Sequence, residues 1–178
     1  MNTTADVRYP IGRFAEVTPA TERVRRIAID DIAALPSRMR EAVAGLTDAQ
    51  LDTPYRPDGW TIRQVVHHVP DSHVNAYIRL KRALTEESPT ITPYDEKTWA
   101  TLADTRLPVE ISLALLDGVH ARWTTLCRHL EPSDWGRTFN HPEYPEGPRT
   151  IDWLVQIYAW HSKHHVAHIT SLRQREGW

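Results

Sequence analysis

Residues 160–168 read Trp-His-Ser-Lys-His-His-Val-Ala-His and hold four of the chain's ten histidines. A stripe of residues spaced three and four apart runs through this stretch: Ile151, Leu154, Tyr158, His161, His165, His168 and Leu172. The spacing predicts a helix whose inner face carries imidazoles where neighbouring turns carry apolar side chains. A buried imidazole needs a partner for each ring nitrogen, and a metal ion orders several imidazoles at once. The stretch therefore predicts a core helix that contributes to a metal site.

His161 and His165 lie four residues apart, so their rings project from one face of the helix, one turn from each other. Two imidazoles share a zinc ion at this spacing, and a third ligand must come from elsewhere in the fold. Other predicted helices offer four histidines for this role, His68 and His73 as main candidates and His67 and His120 as weaker ones. The spacing leaves the choice between His68 and His73 open.

The remaining histidines are assigned other roles. His161 and His168 are two helical turns apart, about 10 Å along the axis, so they cannot share a small ion. His168 is expected to line a pocket beside the metal or to lie behind its ligands. His164 points away from the stripe and is expected to be solvated or to lie behind the ligands, and His141 is expected on the surface of a loop.

Composition limits the class of protein. The chain has 178 residues and a net charge of −2, which gives no reason to expect nucleic acid or an anionic membrane as a partner. A single cysteine, Cys127, excludes an intrachain disulfide and is expected to be a small buried side chain. Without a basic and apolar leader or a long apolar span, the expectation is one cytoplasmic domain, residues 1–178.

Periodicity and cap signals predict an all-α protein built as a four-helix bundle. An extended arm (1–17) precedes four helices at about 20–46, 61–85, 110–130 and 150–175. Thr18-Pro19 is expected to start the first helix, Pro36 to kink that helix or split it in two, and Pro70 to bend the second helix. The connection from 86 to 108 predicts a long crossover between the second and third helices, with a short helix around Trp99. The loop 131–149 has room for a small hairpin.

Three further residues are candidates for the site. Tyr55 and Arg56 lie in a loop rich in proline and glycine, and they are expected to line the mouth of the pocket and orient an anionic group. Asp71 follows His68 by three residues and is a candidate base or acceptor near the metal. No residue is assigned a catalytic role from the sequence.

The second helix begins Trp60-Thr61-Ile62-Arg63-Gln64-Val65-Val66-His67-His68, which resembles the opening of the same helix in the DinB-like superfamily. In that family a Trp-Ser/Thr pair leads to a metal-binding histidine at the position of His68, and the last helix carries a His-x-x-x-His pair, here His161 and His165. The YfiT-like branch is still closer, through segments such as Tyr9-Pro10-Ile11-Gly12 and Pro93-Tyr94-Asp95-Glu96-Lys97. Pro70 departs from the pattern.

The resemblance implies a four-helix bundle, a homodimer and one divalent metal per chain, zinc or nickel. It implies His68 as the third ligand. It also implies an enzyme with a small-molecule substrate, either a metal-dependent hydrolase or a transferase that joins a low-molecular-weight thiol such as bacillithiol to an electrophile. Three imidazoles with an open fourth position suit activation of water or of a thiol. The alternative is a non-catalytic metal-binding or stress-response bundle whose shell is closed by His73 or Asp71.

Overall fold

The computed structural model describes residues 6–178, of which 6–17 form an arm without helix or strand. Residues 1–5, the start of the predicted arm, lie outside the described part. Four long helices follow, with two short helices between them: α1 (Glu22–Val43), α2 (Asp48–Leu51), α3 (Ile62–Thr85), α4 (Glu96–Trp99), α5 (Val109–Arg128) and α6 (Ile151–Glu176). The strands β1 (Thr138–Phe139) and β2 (Arg149–Thr150) pair antiparallel. The predicted all-α four-helix bundle is confirmed.

The long helices are arranged so that α1 packs against α5 and α6, and α3 packs against the same two helices. The order around the bundle is therefore α1, α5, α3, α6, and the first two long helices stand on a diagonal. The predicted long crossover from α3 to α5 is present and contains α4 and a short 3-10 turn, Ala103–Arg106. This arrangement places α3 beside α6, the two helices that carry the candidate ligands.

Hydroxyl caps fix where the helices of the site begin. Thr61 and Gln64 form a reciprocal capping box at the start of α3, and Thr150 accepts a hydrogen bond from the Trp153 N–H at the start of α6. The predicted start of α1 is wrong, because Thr21 rather than Thr18 caps it, through a hydrogen bond from the Val24 N–H. Pro36 and Pro70 do not split their helices, since α1 and α3 run through them as single elements.

The core consists of two apolar clusters, one toward each end of the bundle. Along α3, Val65, Val66 and Val69 belong to one cluster and Ala76, Leu80 and Ala83 to the other. His73 lies between them on α3, and His120 lies between Leu116 and Trp123 on α5. The histidines thus form a polar layer across the middle of the bundle. No helix within residues 6–178 is long and apolar enough to cross a membrane.

Candidate metal centre

The three histidines proposed as ligands come together where α3 faces α6. The candidate ligand atoms of His68, His161 and His165 all lie within 4.8 Å of one another. Nε2 of His161 and Nε2 of His165 are 3.1 Å apart. A tetrahedral ion with metal–nitrogen bonds of about 2.0–2.1 Å holds its ligand nitrogens about 3.3 Å apart. The geometry of the described residues therefore fits one small divalent ion.

Packing on α3 orients His68 toward this cluster. The Trp60 ring, just before the helix, lies 4.6 Å from the His68 ring between centroids. The His68 ring in turn lies 4.9 Å from that of His165 on α6. Since Thr61 caps the helix immediately after Trp60, the cap and the indole together fix where His68 projects.

Burial keeps the three imidazoles in the form that binds a metal. Desolvation lowers the pKa of His68 to about 4. Desolvation, and then the proximity of other histidines, holds the pKa of His161 and of His165 well below the usual value. All three rings are therefore neutral at pH 7, with a lone pair available for a ligand bond.

His73, the other main candidate from the sequence, is placed behind the cluster rather than in it. Its Nε2 lies 3.0 Å from Nδ1 of His161, the ring nitrogen that does not face His165. His120 lies farther back on α5 and contacts His73. His67 is also engaged elsewhere, with Ser112 Oγ at 2.7 Å and the Leu107 carbonyl at 3.0 Å.

The predicted pocket residues Tyr55, Arg56 and His168 lie together beside His165. The ring of His168 stacks on that of Tyr55 at 4.1 Å between centroids, and the guanidinium Nε of Arg56 donates to the Tyr55 hydroxyl over 3.3 Å. The His168 Nε2 is 3.2 Å from the Arg8 carbonyl, so the N-terminal arm covers this side of the site. The rings of His165 and His168 are 5.3 Å apart.

Asp71 is half-buried, and it is not part of the group of three ligand atoms. Burial, followed by repulsion from Asp104, raises the pKa of its carboxyl to about 6. A carboxyl with this pKa can exchange a proton near neutral pH, which suits the role of base named from the sequence. That role, like those of Tyr55, Arg56 and His168, stays a prediction.

A cavity of about 640 Å³ reaches the cluster at His161. Its wall combines aromatic and charged side chains, among them Arg79, Tyr94, Glu96, His141, Glu143 and Trp160. Tyr55, Arg56, Asp71 and His168 are not among the lining residues, so the cavity opens on a different side of the cluster. The volume falls in the range of small-molecule sites, about 300–1,000 Å³.

The sequence placed His141 wrongly and left the position of His164 open between two alternatives. His141 is buried, contacts Tyr144 and lines the cavity, so the expectation of a surface residue is wrong. Of the two positions expected for His164, the solvated one is wrong, because the ring is buried, stacks on Trp160 at 4.3 Å and lies 5.8 Å from the ring of Tyr9 in the arm. The sequence feature that could have indicated the cavity wall is the segment 93–97, all of which lines the cavity. The sequence analysis used this segment only as evidence for the family resemblance.

A family model described as the DinB superfamily matches residues 31–169. The chain belongs to the DinB superfamily. The matched part contains His68, His161 and His165 and leaves out the N-terminal arm. The resemblance found in the sequence is thereby confirmed.

Relatives within the DinB superfamily match nearly the whole chain. A protein of Bacillus mycoides (strain KBAB4), named "Putative metal-dependent hydrolase", is 53% identical over 173 residues, which cover 97% of this chain and 99% of the relative. A relative from Bacillus cereus (strain B4264) with the same descriptive name has the same identity and coverage. YfiT from Bacillus subtilis, described as "a probable metal-dependent hydrolase with an unusual four-helix bundle topology", matches with a TM-score of 0.93. It is 46% identical, and the match covers 97% of this chain and 98% of YfiT.

Proposed function

We propose that this chain is a metal-dependent enzyme in which His68, His161 and His165 hold one divalent ion, zinc or nickel. The observation that carries the proposal is the convergence of three neutral imidazoles, those of His68 and His165 buried and that of His161 half-buried, whose ligand atoms lie within 4.8 Å of one another beside a cavity. The names of the relatives, which describe metal-dependent hydrolases, support the same conclusion. A divalent ion bound by three neutral ligands keeps its full charge and lowers the pKa of a coordinated water or thiol.

The protein side chains position the ion and form the walls of the substrate cavity. His161 and His165 approach from successive turns of α6, and His68 approaches from α3, so the ion would be held across a helix interface. The cavity reaches the cluster from the side of His161 and provides room for a small-molecule substrate. Arg79, Glu96 and Glu143 place charges of both signs on its wall, which suits a polar substrate.

The alternative, a non-catalytic metal-binding bundle, needs a fourth protein ligand to close the shell. His73 does not suit this role, because its Nε2 faces His161 at 3.0 Å and its Nδ1 faces His120 at 2.9 Å. Asp71 is not within the ligand group in residues 6–178. These contacts favour a coordination position left for water or substrate.

Elemental analysis of the purified protein tests the metal site. About one zinc or nickel ion per chain is expected, and His165→Ala should lose it. His129→Ala is a matched control, because His129 is the exposed residue directly after α5 and its ring hydrogen-bonds to the Thr125 carbonyl, away from the cluster. A folded wild-type protein that binds no divalent ion at micromolar concentration would refute the proposal.

A second assay separates the two reactions, because both use the same three ligands. The metal-loaded protein is incubated with a chlorinated aromatic electrophile and bacillithiol, mycothiol or glutathione, and separately with ester and amide substrates. Product that requires a thiol identifies a low-molecular-weight thiol S-transferase. Turnover of esters or amides without a thiol identifies a hydrolase, as the names of the relatives suggest.

A further inference from the structure

A line of hydrogen-bonding groups crosses the bundle behind the metal site and takes one residue from each long helix. His161 Nδ1 on α6 lies 3.0 Å from His73 Nε2 on α3. His73 Nδ1 lies 2.9 Å from His120 Nε2 on α5, and His120 Nδ1 lies 2.6 Å from the Ile32 carbonyl on α1. His73 is fully buried and His120 is 2% exposed, so water does not compete for these groups.

Pro36 explains why the Ile32 carbonyl is free to accept a side chain. In an α-helix a carbonyl accepts from the N–H four residues later, and for Ile32 that residue is Pro36, which has no N–H. A buried carbonyl left without a donor costs free energy, and the His120 imidazole supplies the missing donor. The proline inside α1 therefore creates the acceptor on which the line of groups ends.

The carbonyl sets the direction of every hydrogen bond in the line. Since a carbonyl only accepts, the His120 proton must be on Nδ1, and a neutral imidazole then has a lone pair on Nε2. His73 donates to that lone pair from Nδ1 and accepts with Nε2. His161 must then donate from Nδ1, which leaves the lone pair on its Nε2, the atom that faces His165.

We infer that His73 and His120 are positioning residues that fix the tautomer and orientation of His161, with Pro36 freeing the carbonyl that polarises them. The inference rests on the proposed metal site and deepens it. His165 has no equivalent support, because its Nδ1 is buried without a hydrogen-bond partner in the part of the chain that the structure describes. Of the two ligands on α6, His161 is therefore the anchored one.

Long-range ¹H–¹⁵N NMR of the metal-free protein, labelled at histidine, tests the tautomer directly. The wild type should show His161 with its proton on Nδ1. His73→Phe removes the acceptor and should shift His161 to a mixed or Nε2–H form, whereas His73→Gln keeps an acceptor oxygen near the Nε2 position and should restore the wild-type signal. Pro36→Ala returns a competing N–H to Ile32 and should weaken the low-field signal of the His120 Nδ1 proton.

Zinc affinity, measured by competition with a chelator, gives the second readout. His73→Phe and His120→Phe should bind zinc about 10–100-fold more weakly, as expected for residues that orient a ligand. His73→Gln should recover most of that loss. His67→Gln is the matched control, because His67 is another buried histidine of α3 whose two partners lie outside the line, and its zinc affinity should change little.

Two results would overturn the inference: a wild-type His161 that carries its proton on Nε2, or a folded His73→Phe variant with wild-type zinc affinity and an unchanged His161 signal. Circular dichroism establishes whether each variant folds. If none of the variants folds, the NMR spectrum of the wild type alone still shows which nitrogen of His161 carries the proton. A wild type that binds no metal refutes the proposed function instead, and the NMR signals of the metal-free protein still decide whether the line of groups exists.

Discussion

His67 and His68 are adjacent in sequence but have different surroundings. His67 points toward the start of α5, where one ring nitrogen meets Ser112 and the other meets the carbonyl of Leu107, just before the helix. His68 points toward α6 and meets the rings of His161 and His165. One residue along a helix turns a side chain by about 100°, which is enough to place one histidine in a structural hydrogen-bond network and the next in the candidate metal site.

Cys127 gives a prediction at the residue scale. Burial raises the pKa of its thiol to about 12, so almost no thiolate is present at pH 8. We expect the native protein to react with Ellman's reagent many-fold more slowly than the protein unfolded in guanidinium chloride. Equal rates in the two states would contradict the buried position.

Replacing the buried thiol provides a control for the proposed chemistry. If thiol-dependent turnover is observed, the reacting thiol should come from the substrate, and Cys127→Ser should keep the activity. Loss of turnover in a folded Cys127→Ser variant would show instead that the protein thiol takes part.

The sequence predicts ligands well where the spacing is local and poorly where it depends on packing. His161 and His165 share one helix, so their common face follows from the helical repeat alone. His68 and His73 both lie on the inner side of α3, and only the register of α3 against α6 decides which one reaches the cluster. His141 lies in a loop, and nothing periodic in the loop indicates that it is buried.

At the scale of single elements, the cap of α6 can be tested by itself. Thr150→Ala removes the hydroxyl that accepts from the Trp153 N–H at 3.1 Å. We expect the free energy of unfolding to fall by about 1 kcal/mol, measured by urea denaturation. Thr170→Ala, at an exposed position of the same helix, should instead be neutral or slightly stabilising. Equal losses in the two variants would show that the cap contributes nothing specific.

The two buried helix-interior prolines should respond differently to replacement. Pro70→Ala restores a hydrogen bond to the Val66 carbonyl, and we expect the free energy of unfolding to rise by about 1–3 kcal/mol. Pro36→Ala should gain less, because the Ile32 carbonyl already accepts from His120. Urea denaturation of both metal-free variants measures the difference. A larger gain for Pro36→Ala would argue against the role given to that carbonyl.

Both prolines also show where sequence signals compete. Each is a helix breaker by its own chemistry, yet both helices continue, because the apolar residues on either side of them pack into the core. Thr18-Pro19 is a helix-start signal, but Thr21 lies three residues before Val24 and supplies the cap instead. The spacing of apolar residues was enough to predict that each helix exists. The residue at which a helix begins depends instead on which of several nearby hydroxyls makes the capping hydrogen bond.

At the scale of the whole molecule, the polar layer between two apolar clusters makes folding sensitive to acid. Burial is the main cause that lowers the pKa of nine of the ten histidines: His67, His68, His73, His120, His141, His161, His164, His165 and His168. Neutral imidazoles can bind a metal ion, but the burial that keeps these imidazoles neutral also opposes their protonation in the folded protein. The unfolded chain has no such resistance, since its histidines titrate near pH 6.5.

The sign of the pH effect follows from these shifts. For His68, His120 and His164 the pKa is about 4 in the folded protein, so between pH 6.5 and 4 the unfolded chain binds about three more protons at these positions. Asp71 offsets one of them, because its pKa of about 6 makes the folded state bind a proton that the unfolded state lacks. The net of about two protons favours unfolding as the pH falls.

We therefore expect the free energy of unfolding of the metal-free protein to decrease by at least about 2–3 kcal/mol per pH unit below pH 6.5. Urea denaturation in the presence of a chelator, at pH 7.5, 6.0 and 5.0, measures it, and a constant m-value at the three pH values verifies that the same transition is followed. Saturating zinc should raise the stability at pH 7.5 and lose that effect as the pH falls, because protons compete for the same nitrogens. A stability that stays level from pH 7.5 to 5.0 would mean that the histidine layer is open to water and that burial does not keep its imidazoles neutral.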